Sequence, residues 1–421
     1  MKLNRITNFI ILNIVTINFI FFVLKNLFKI KGKQNILFYI SERKYVGSGF
    51  GHNSIILSII KNRRLDYSNF LIIDFTLGVT YNKYNIFKYF GIDVINFKLF
   101  NKRLNNNFYY TQRKKFIIIF YNILKILKIN IFKSLDDFYL GDSQNKKIFF
   151  ENYKKNNYLN SNSKILKGKK LYLLEVSRAN KDMMEAINEH NIKNNLFLKL
   201  EKYYDEKIQN KLNIELNKSK DNILLYRRFK KNDYKCGSSD LNYYLKLIEL
   251  IDSNKFNIFC VGDFTVNDRY RLKNKGAICN LDIKEDNDFY IWSVNKSDIT
   301  LLECGGGLSL PIMMGKKNII FNSVALAHLM PNSIIIPKNF LKNGISLGYN
   351  EILLNYLGPS HTKNIKLDLT DQEFIINELN FLIHNPIKKY SYKNSDFMNN
   401  KNINTFKKYN QFISNSWINN T

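Results

Sequence analysis

The sequence predicts an α/β protein with two domains, each built on a parallel sheet, and three observations support that prediction. The chain has 421 residues, which is long enough for two ordinary domains with full cores. Short apolar runs suited to buried strands recur along it at the spacing of strand–helix–strand units. The stretch from Asp298 to Asn322 joins such a run to three glycines, a short apolar helix and a second apolar run. That order is one right-handed crossover unit of an α/β domain.

Composition indicates a folded protein and narrows its partners. Hydrophobic residues make up 45% of the chain and aromatic residues 14%, which argues against disorder. The net charge is +29, from 64 Lys and Arg against 35 Asp and Glu. A nucleic-acid binder would gather this charge beside a recognised module, but here the lysines are spread along the chain. We therefore expect no nucleic-acid partner, and attraction to anionic lipid or to phosphorylated small molecules instead.

The four cysteines predict neither a disulfide framework nor a metal site. None of them forms a C-x-x-C pair, and no Cys/His cluster has zinc-site spacing. A reducing compartment is the natural inference. The cysteines are Cys236, Cys260, Cys279 and Cys304.

Residues 1–33 are predicted to be a hydrophobic membrane anchor. No charged residue lies between Arg5 and Lys25, a stretch close to the ~20 residues that a helix needs to span a bilayer. Lysines follow the apolar run, which disfavours a cleaved signal peptide and slightly favours a cytoplasmic body. Whether this helix spans the membrane or lies on it stays open. The expected location is the inner membrane, with the body of the protein in the cytoplasm.

The first domain is predicted to cover residues 34–220. Its first buried strand, Asn35 to Ile40, leads into the glycine-rich turn GSGFGH, which contains Gly47, Gly49, Gly51 and His52. A turn of this kind, between the first strand and the first helix, is where α/β folds bind ligands. His52 could act there as a general base, or it could simply cap the helix or pack locally. The segment 114–133 is either a membrane-surface helix or a core helix. Further strands are expected at Phe70–Ile73, Val94–Phe97 and Leu171–Glu175, and residues 187–216 are expected to be mainly helical.

The second domain is predicted to cover residues 221–390, ahead of a polar, Asn/Lys-rich tail at 391–421. Three of its strands end in polar or glycine residues, and the carboxyl ends of parallel strands share one rim of a sheet. Arginines bind a diphosphate by bidentate hydrogen bonds, and a glycine turn binds it through backbone N–H groups. The expected nucleotide-diphosphate site comprises Arg227, Arg228, Gly262, Asp263, Glu303, Gly305, Gly306, Gly307 and Ser309.

The two adjacent arginines are not expected to play the same part. Side chains alternate between the two faces of a strand, so only one of Arg227 and Arg228 should reach the phosphates. We favour Arg227, because Arg228 is followed at once by a turn at Phe229. Either arginine alone could instead form a structural salt bridge.

On these residues the chain resembles the GT-B glycosyltransferases, which have two Rossmann-like domains and use nucleotide sugars. Ser293 to Asn322 looks like their donor-binding segment, and GSGFGH resembles their first-domain glycine–histidine turn. Leu224 to Glu351 is similar to a glycosyltransferase family from bacterial surface-polysaccharide loci. The matching residues are an arginine ending the first strand with Tyr234 downstream, Gly262-Asp263, Gly306-x-x-x-x-Pro311-x-x-x-Gly315, Asn322, and Pro337-Lys338 ahead of Ser346 and Glu351.

The resemblance implies transfer of a sugar from a nucleotide-diphosphate donor to a lipid-linked surface-glycan acceptor. It implies no metal and no cofactor besides the donor, with His52 as the acceptor-side base. Two positions depart from the pattern: Leu310 stands where many GT-B enzymes carry a ribose-binding glutamate, and Lys317 stands where proline is usual. The donor base therefore cannot be inferred. A nucleotide-sugar epimerase of the same architecture and a non-catalytic scaffold of a polysaccharide assembly complex are the alternatives.

Overall fold

The computed structural model describes most of the second half of the chain and short segments of the first. The chain divides into two compact units, Met1–Met183 and Met184–Thr421. The described residues are 197–228, 239–324, 326, 330–356, 364–393, 401–407 and 409–420, together with 35–41, 70–74, 86–96, 170–176, position 57 and scattered positions between 13 and 29.

The first unit contains a parallel sheet of four described strands. They are β1 (Asn35–Ser41), β2 (Phe70–Asp74), β3 (Asp93–Asn96) and β4 (Lys170–Val176), in the order β3-β2-β1-β4. All four confirm strands predicted from apolar runs. The turn with Gly47, Gly49, Gly51 and His52, and the segment 114–133, lie outside the described residues.

The predicted anchor is described only in part. Most described positions between 13 and 29 are helical, and Phe21 and Phe28 are exposed there. No helix among the residues that the structure describes is long and apolar enough to cross a membrane. The membrane anchor at 1–33 stays a prediction.

The second unit is an α/β sandwich on a seven-stranded sheet, with a small antiparallel sheet beside it. Each predicted strand from residue 222 to residue 321 is present, so the predicted α/β class is confirmed. The elements in chain order are α1 (Lys202–Leu212), β5 (Asp221–Arg227), α2 (Leu241–Leu250), β6 (Phe256–Gly262), α3 (Val266–Lys273), β7 (Ile278–Cys279), α4 (Asp286–Lys296), β8 (Ile299–Glu303), α5 (Ser309–Met313), β9 (Lys317–Ser323), β10 (Ser333–Pro337), β11 (Asn339–Lys342), β12 (Ile345–Ser346), α6 (Tyr349–Asn355), β13 (Lys366–Asp368), α7 (Gln372–His384), α8 (Lys401–Lys407), β14 (Gln411–Ile413) and α9 (Asn415–Ile418).

The strand order of the large sheet is β14-β10-β9-β8-β5-β6-β7, and every neighbouring pair is parallel. The chain thus builds outward from β5 in one direction, then returns to place β8 on the other side of β5. This is the doubly wound order, with its switch point between β5 and β8. The two central strands are apolar on both faces, with Leu224, Leu225, Leu301 and Leu302 fully buried, as helices on both sides of a parallel sheet require.

Polar residues at the carboxyl rim fix where the helices begin. The Asp240 carboxylate accepts a hydrogen bond from the Tyr243 N–H and caps α2. Thr265 and Asp268 form a capping box at the start of α3. The Asp371 carboxylate caps α7 by accepting a hydrogen bond from the Glu373 N–H. These caps satisfy amide groups that a helix leaves unpaired and so hold the rim in shape.

Helix α1 packs on α4 and is grouped with the second unit. Lys211 Nζ lies 2.6 Å from Asp288 Oδ2, and Lys296 Nζ lies 2.6 Å from Asp205 Oδ2. Just before α1, the Leu198 N–H donates to the Met313 carbonyl at 2.8 Å. Residues 197–220, which the sequence analysis placed in the first domain, therefore contact elements of the second unit in the structure.

The segment 391–421, predicted to be a polar tail, contributes to the core of the second unit. Strand β14 pairs with β10 in parallel, and Ile413 and Trp417 are fully buried. The Ser414 hydroxyl donates to Glu378 Oε1 of α7 at 2.7 Å. The composition of this segment is dominated by Asn and Lys, but it also contains a few large apolar side chains. Burying those side chains stabilises the packed arrangement despite the polar composition.

Candidate functional site

The candidate site lies at the carboxyl ends of β5 and β8, where the strand order reverses. From β5 the chain continues to β6 on one side, and from β8 it continues to β9 on the other. A reversal of this kind is where doubly wound folds form a crevice for a ligand. Arg227 and Arg228 end one of these strands. Glu303 and the glycines 305–307 end the other.

Arg227 points into the protein rather than into the crevice. Its side chain is 5% exposed and lies over the rings of Tyr244 and Phe264, 5.7 and 5.2 Å from their centroids. Its Nε donates to the Ser239 carbonyl at 3.1 Å, and its Nη1 lies 3.4 Å from Asp268 Oδ2. The preference for Arg227 over Arg228 at the phosphates therefore does not agree with this geometry, which favours Arg228.

Arg228 lies across the first glycine of the turn. A Cβ atom added to Gly305 would sit 2.3 Å from Arg228 Cδ and 2.7 Å from Arg228 Nη1. Since real Cβ atoms do not approach other atoms so closely, the absence of a side chain at residue 305 leaves room for the guanidinium. The half-buried Arg228 and the glycine turn are thereby brought together, as a diphosphate site requires.

The rest of the turn is held against the last residues of β5. A Cβ on Gly307 would meet the Tyr226 ring at 2.4 Å, and the Gly307 carbonyl accepts a hydrogen bond from the Tyr290 hydroxyl. Gly306 begins a 3-10 turn that runs to Leu308, and the half-buried Ser309 opens α5. Burial raises the pKa of Tyr226, so its hydroxyl stays protonated at neutral pH.

Gly262 and Asp263 form the neighbouring part of the rim, at the end of β6. Gly262 has a φ of +103°, and a Cβ there would lie 2.1 Å from the Arg227 carbonyl oxygen. This close approach lets the Asp263 N–H donate to that same oxygen at 3.0 Å. Both residues are exposed, so they remain accessible to a ligand.

Glu303 is fully buried beneath the crevice and is not in a position to contact a ligand. Its Oε2 accepts the Arg228 N–H at 3.2 Å, and its Oε1 accepts the Ser239 hydroxyl. The Asn322 side-chain amide donates to that hydroxyl oxygen at 2.9 Å. Burial raises the pKa of Glu303, and these hydrogen bonds to the carboxylate oppose the rise.

The structure thus brings together the predicted residues of the second unit that it describes. It adds three that the sequence analysis did not assign to the site: Tyr226, Ser239 and Asn322. Asn322 was visible only within the family resemblance, and its φ of 52° at the end of β9 is a conformation that asparagine tolerates. Nothing local marks Ser239, because its partner Glu303 is distant in sequence. Among the described residues no three His, Cys, Asp or Glu side chains gather as metal ligands would.

Comparison with known proteins gives structural likeness alone. No family model matches the chain, and no curated protein sequence matches it. E. coli ADP-heptose LPS heptosyltransferase II is similar in structure, with a TM-score of 0.45 and 9% identity over 84% of this chain and 99% of that one. A glycosyl transferase family 9 protein from Veillonella parvula has a TM-score of 0.42 and 9% identity, over 84% and 97% of the two chains.

A solved nucleotide-sugar epimerase is similar as well. UDP-GlcNAc 2-epimerase from Neisseria meningitidis, bound to UDP-GlcNAc, has a TM-score of 0.38 and 11% identity over 92% of this chain and 96% of that one. Solved structures of both enzyme classes are thus among those to which this chain is similar. At these scores the likeness does not assign either activity to this chain.

Proposed function

We propose that the protein is a glycosyltransferase that takes a sugar from a nucleotide-diphosphate donor held at the β5–β8 crevice. The observation that supports this most directly is the placement of the Arg228 side chain across Gly305 at the switch point of the sheet. A guanidinium beside a glycine turn presents planar N–H donors together with approachable backbone, a combination suited to a diphosphate.

The chemistry of transfer explains why these groups matter. When the bond between the sugar and the diphosphate breaks, negative charge develops on the departing diphosphate. A fixed cation at that position stabilises the transition state more than the ground state, and this difference accelerates the reaction. Arg228 would perform this task without a metal ion.

The acceptor side of the proposal is carried by the first unit. His52 would remove the proton from the attacking acceptor hydroxyl. The apolar, lysine-flanked residues 1–33 support a lipid-linked acceptor and attachment to the cytoplasmic face of the inner membrane. Surface-polysaccharide synthesis is the process that combines these features.

Arg228→Met tests the donor site, with Arg271→Met as the matched control. Arg271 is an exposed arginine on α3 and contributes the same formal charge. Losing a charge-assisted contact should weaken binding of ADP, GDP or UDP by roughly ten- to hundred-fold in Arg228→Met. Calorimetric titration should show Arg271→Met within about twofold of the parent protein.

Three results would redirect the proposal. Equal affinities in the parent and both variants would remove the donor site from this crevice. A protein that binds the nucleotide but converts a free nucleotide sugar into its 2-epimer would be the alternative enzyme. Absence of nucleotide binding in the parent protein would favour the scaffold.

A further inference from the structure

Both ends of the connection between β5 and α2 meet at one buried carboxylate. The connection leaves β5 at Arg228, whose N–H donates to Glu303 Oε2, and it re-enters the described structure at Ser239, whose hydroxyl donates to Glu303 Oε1. The Arg227 side chain ties the same two points together by donating to the Ser239 carbonyl. Both carboxylate oxygens of Glu303 are therefore used to hold the two ends of this connection, and with them the backbone position of Arg228.

The same carboxylate is linked to the next strand. Asn322, at the end of β9, donates to the Ser239 hydroxyl oxygen and accepts the Thr370 N–H at 2.8 Å. Glu303, Ser239 and Asn322 are all 0% exposed. A buried network of this kind is costly to form unless every member is satisfied, and once satisfied it specifies a single arrangement.

We propose that Glu303 is a positioning residue for the nucleotide site: it holds Arg228 in the orientation that meets the donor diphosphate, without touching the ligand itself. This inference rests on the proposed function. It reassigns Glu303 from the predicted ligand-binding set to the layer beneath it, since a fully buried side chain has no surface for a ligand.

The carboxylate form is needed because both oxygens must accept hydrogen bonds. A glutamine has one acceptor oxygen and one NH₂ donor. If the NH₂ faces the Arg228 N–H, two donors oppose each other. If it faces Ser239, the serine oxygen receives hydrogen bonds from the introduced NH₂ group and from Asn322, and the serine O–H has no acceptor left. In the first case the Arg228 N–H has no acceptor, and in the second the Ser239 O–H has none, so one end of the connection is released and Arg228 is no longer held at both points.

The test is Glu303→Gln, with Glu378→Gln as the matched control. Glu378, on α7, is a second buried glutamate and is 3% exposed. It accepts a hydrogen bond from the Ser414 hydroxyl and lies outside the candidate site. Titration with ADP, GDP and UDP should show a loss of affinity in Glu303→Gln approaching that of Arg228→Met, roughly tenfold or more. Glu378→Gln should stay within about twofold of the parent, even if its melting temperature falls.

The double variant separates positioning from a general loss of structure. If Glu303 acts through Arg228, adding Glu303→Gln to Arg228→Met should weaken binding by less than about twofold more. Losses that multiply, or a Glu303→Gln protein that binds as the parent does, would overturn the proposal. Should Glu303→Gln fail to fold, Ser239→Ala removes one of the same hydrogen bonds and should show the same non-additivity with Arg228→Met.

Amide exchange reads the hydrogen bond without any ligand. The Arg228 amide proton should exchange roughly ten times faster or more in Glu303→Leu, which has no acceptor for it, than in the parent, and at the parent rate in Glu378→Leu. An unchanged rate would contradict the positioning role. A parent protein that binds none of the three nucleotides would contradict the proposed function instead, so the two failures are distinguishable.

Discussion

At the residue scale, the glycines of the rim serve two separate physical purposes. Gly262 is needed for its backbone, since its φ of +103° is a conformation that other residues adopt only with strain. Gly305 is extended and needs no special φ, but the Arg228 side chain fills the space that its Cβ would take. Gly307 is similarly covered by the Tyr226 ring. Gly305 and Gly307, which were predicted to let a ligand approach the backbone, therefore also leave space for side chains at the end of β5.

Gly262→Ala should destabilise the fold far more than Gly344→Ala. Both glycines have positive φ, +103° and +82°, but a Cβ on Gly344 meets nothing within 4 Å, whereas on Gly262 it meets the Arg227 carbonyl. We expect about 1 kcal/mol for Gly344→Ala from backbone strain and at least ~3 kcal/mol for Gly262→Ala. Urea unfolding measures both, and equal costs would show that the clash at Gly262 relaxes freely.

A second prediction at the residue scale concerns His52→Ala. The place of His52 in the glycine turn of the first domain motivates the hypothesis that His52 is the acceptor-side base. Turnover should fall by about 10²–10⁴-fold while nucleotide affinity is retained. Normal turnover would return His52 to a capping or packing role.

At the scale of elements, apolar runs predicted the sheet strands well, whereas side-chain roles depended on packing that no local pattern reveals. The strands at 222–226, 256–261, 299–302 and 318–321 were each recognised from sequence, because parallel strands buried on both faces are continuous apolar runs. Strand β14 was missed, since it has three residues within a polar stretch. Alternation predicted different positions for Arg227 and Arg228, and in the structure Arg227 is buried while Arg228 is half-buried. Which of the two is buried depends on the Tyr244 and Phe264 rings, over which Arg227 lies.

The attachment of α7 to the C-terminal segment predicts a specific pH dependence. Burial raises the pKa of Glu378 above its ordinary value. The native state then holds this proton over a pH range in which the unfolded chain, with a pKa of about 4.3, has lost it. Stability from this group is therefore fully present below pH ~4.3 and is lost as pH rises through the folded pKa.

Glu378→Gln removes that titration. The difference in unfolding free energy, variant minus parent, should increase from pH ~4 to pH ~8, because only the parent loses stability from this group over that range. The variant need not be the more stable protein at pH ~4. Urea unfolding at several pH values supplies the comparison. Parallel curves for the two proteins would show that Glu378 titrates in the fold as it does in the unfolded chain.

At the scale of the whole molecule, the chain combines a strongly basic charge with the site proposed to bind a nucleotide in its second unit. The net charge of +29 favours anionic surfaces at low ionic strength, and this attraction is screened by salt. Apolar burial is not screened. High salt therefore separates the two ways in which this protein could attach to a membrane.

Deleting residues 1–33 should release the protein from membranes after a wash at about 1 M salt, where the Debye length falls to ~3 Å. The full chain should remain bound under the same wash because an apolar helix resists it. Sedimentation of membranes followed by immunoblotting gives the readout. Retention of the truncated protein would point to a second anchor, for which the segment 114–133 is the candidate.

The switch point between β5 and β8 also affects how the sheet forms while the chain is being synthesised. Strands β5, β6 and β7 emerge together, between residues 221 and 279, while β8 begins only at Ile299. Until then one long edge of β5 has no partner, and an open edge is the part of a nascent sheet most exposed to mispairing. Arrival of β8 closes that edge and creates the crevice in a single event. A nucleotide that bound there would recognise only chains in which β8 has paired with β5, and by mass action it would draw the newly made protein towards that state.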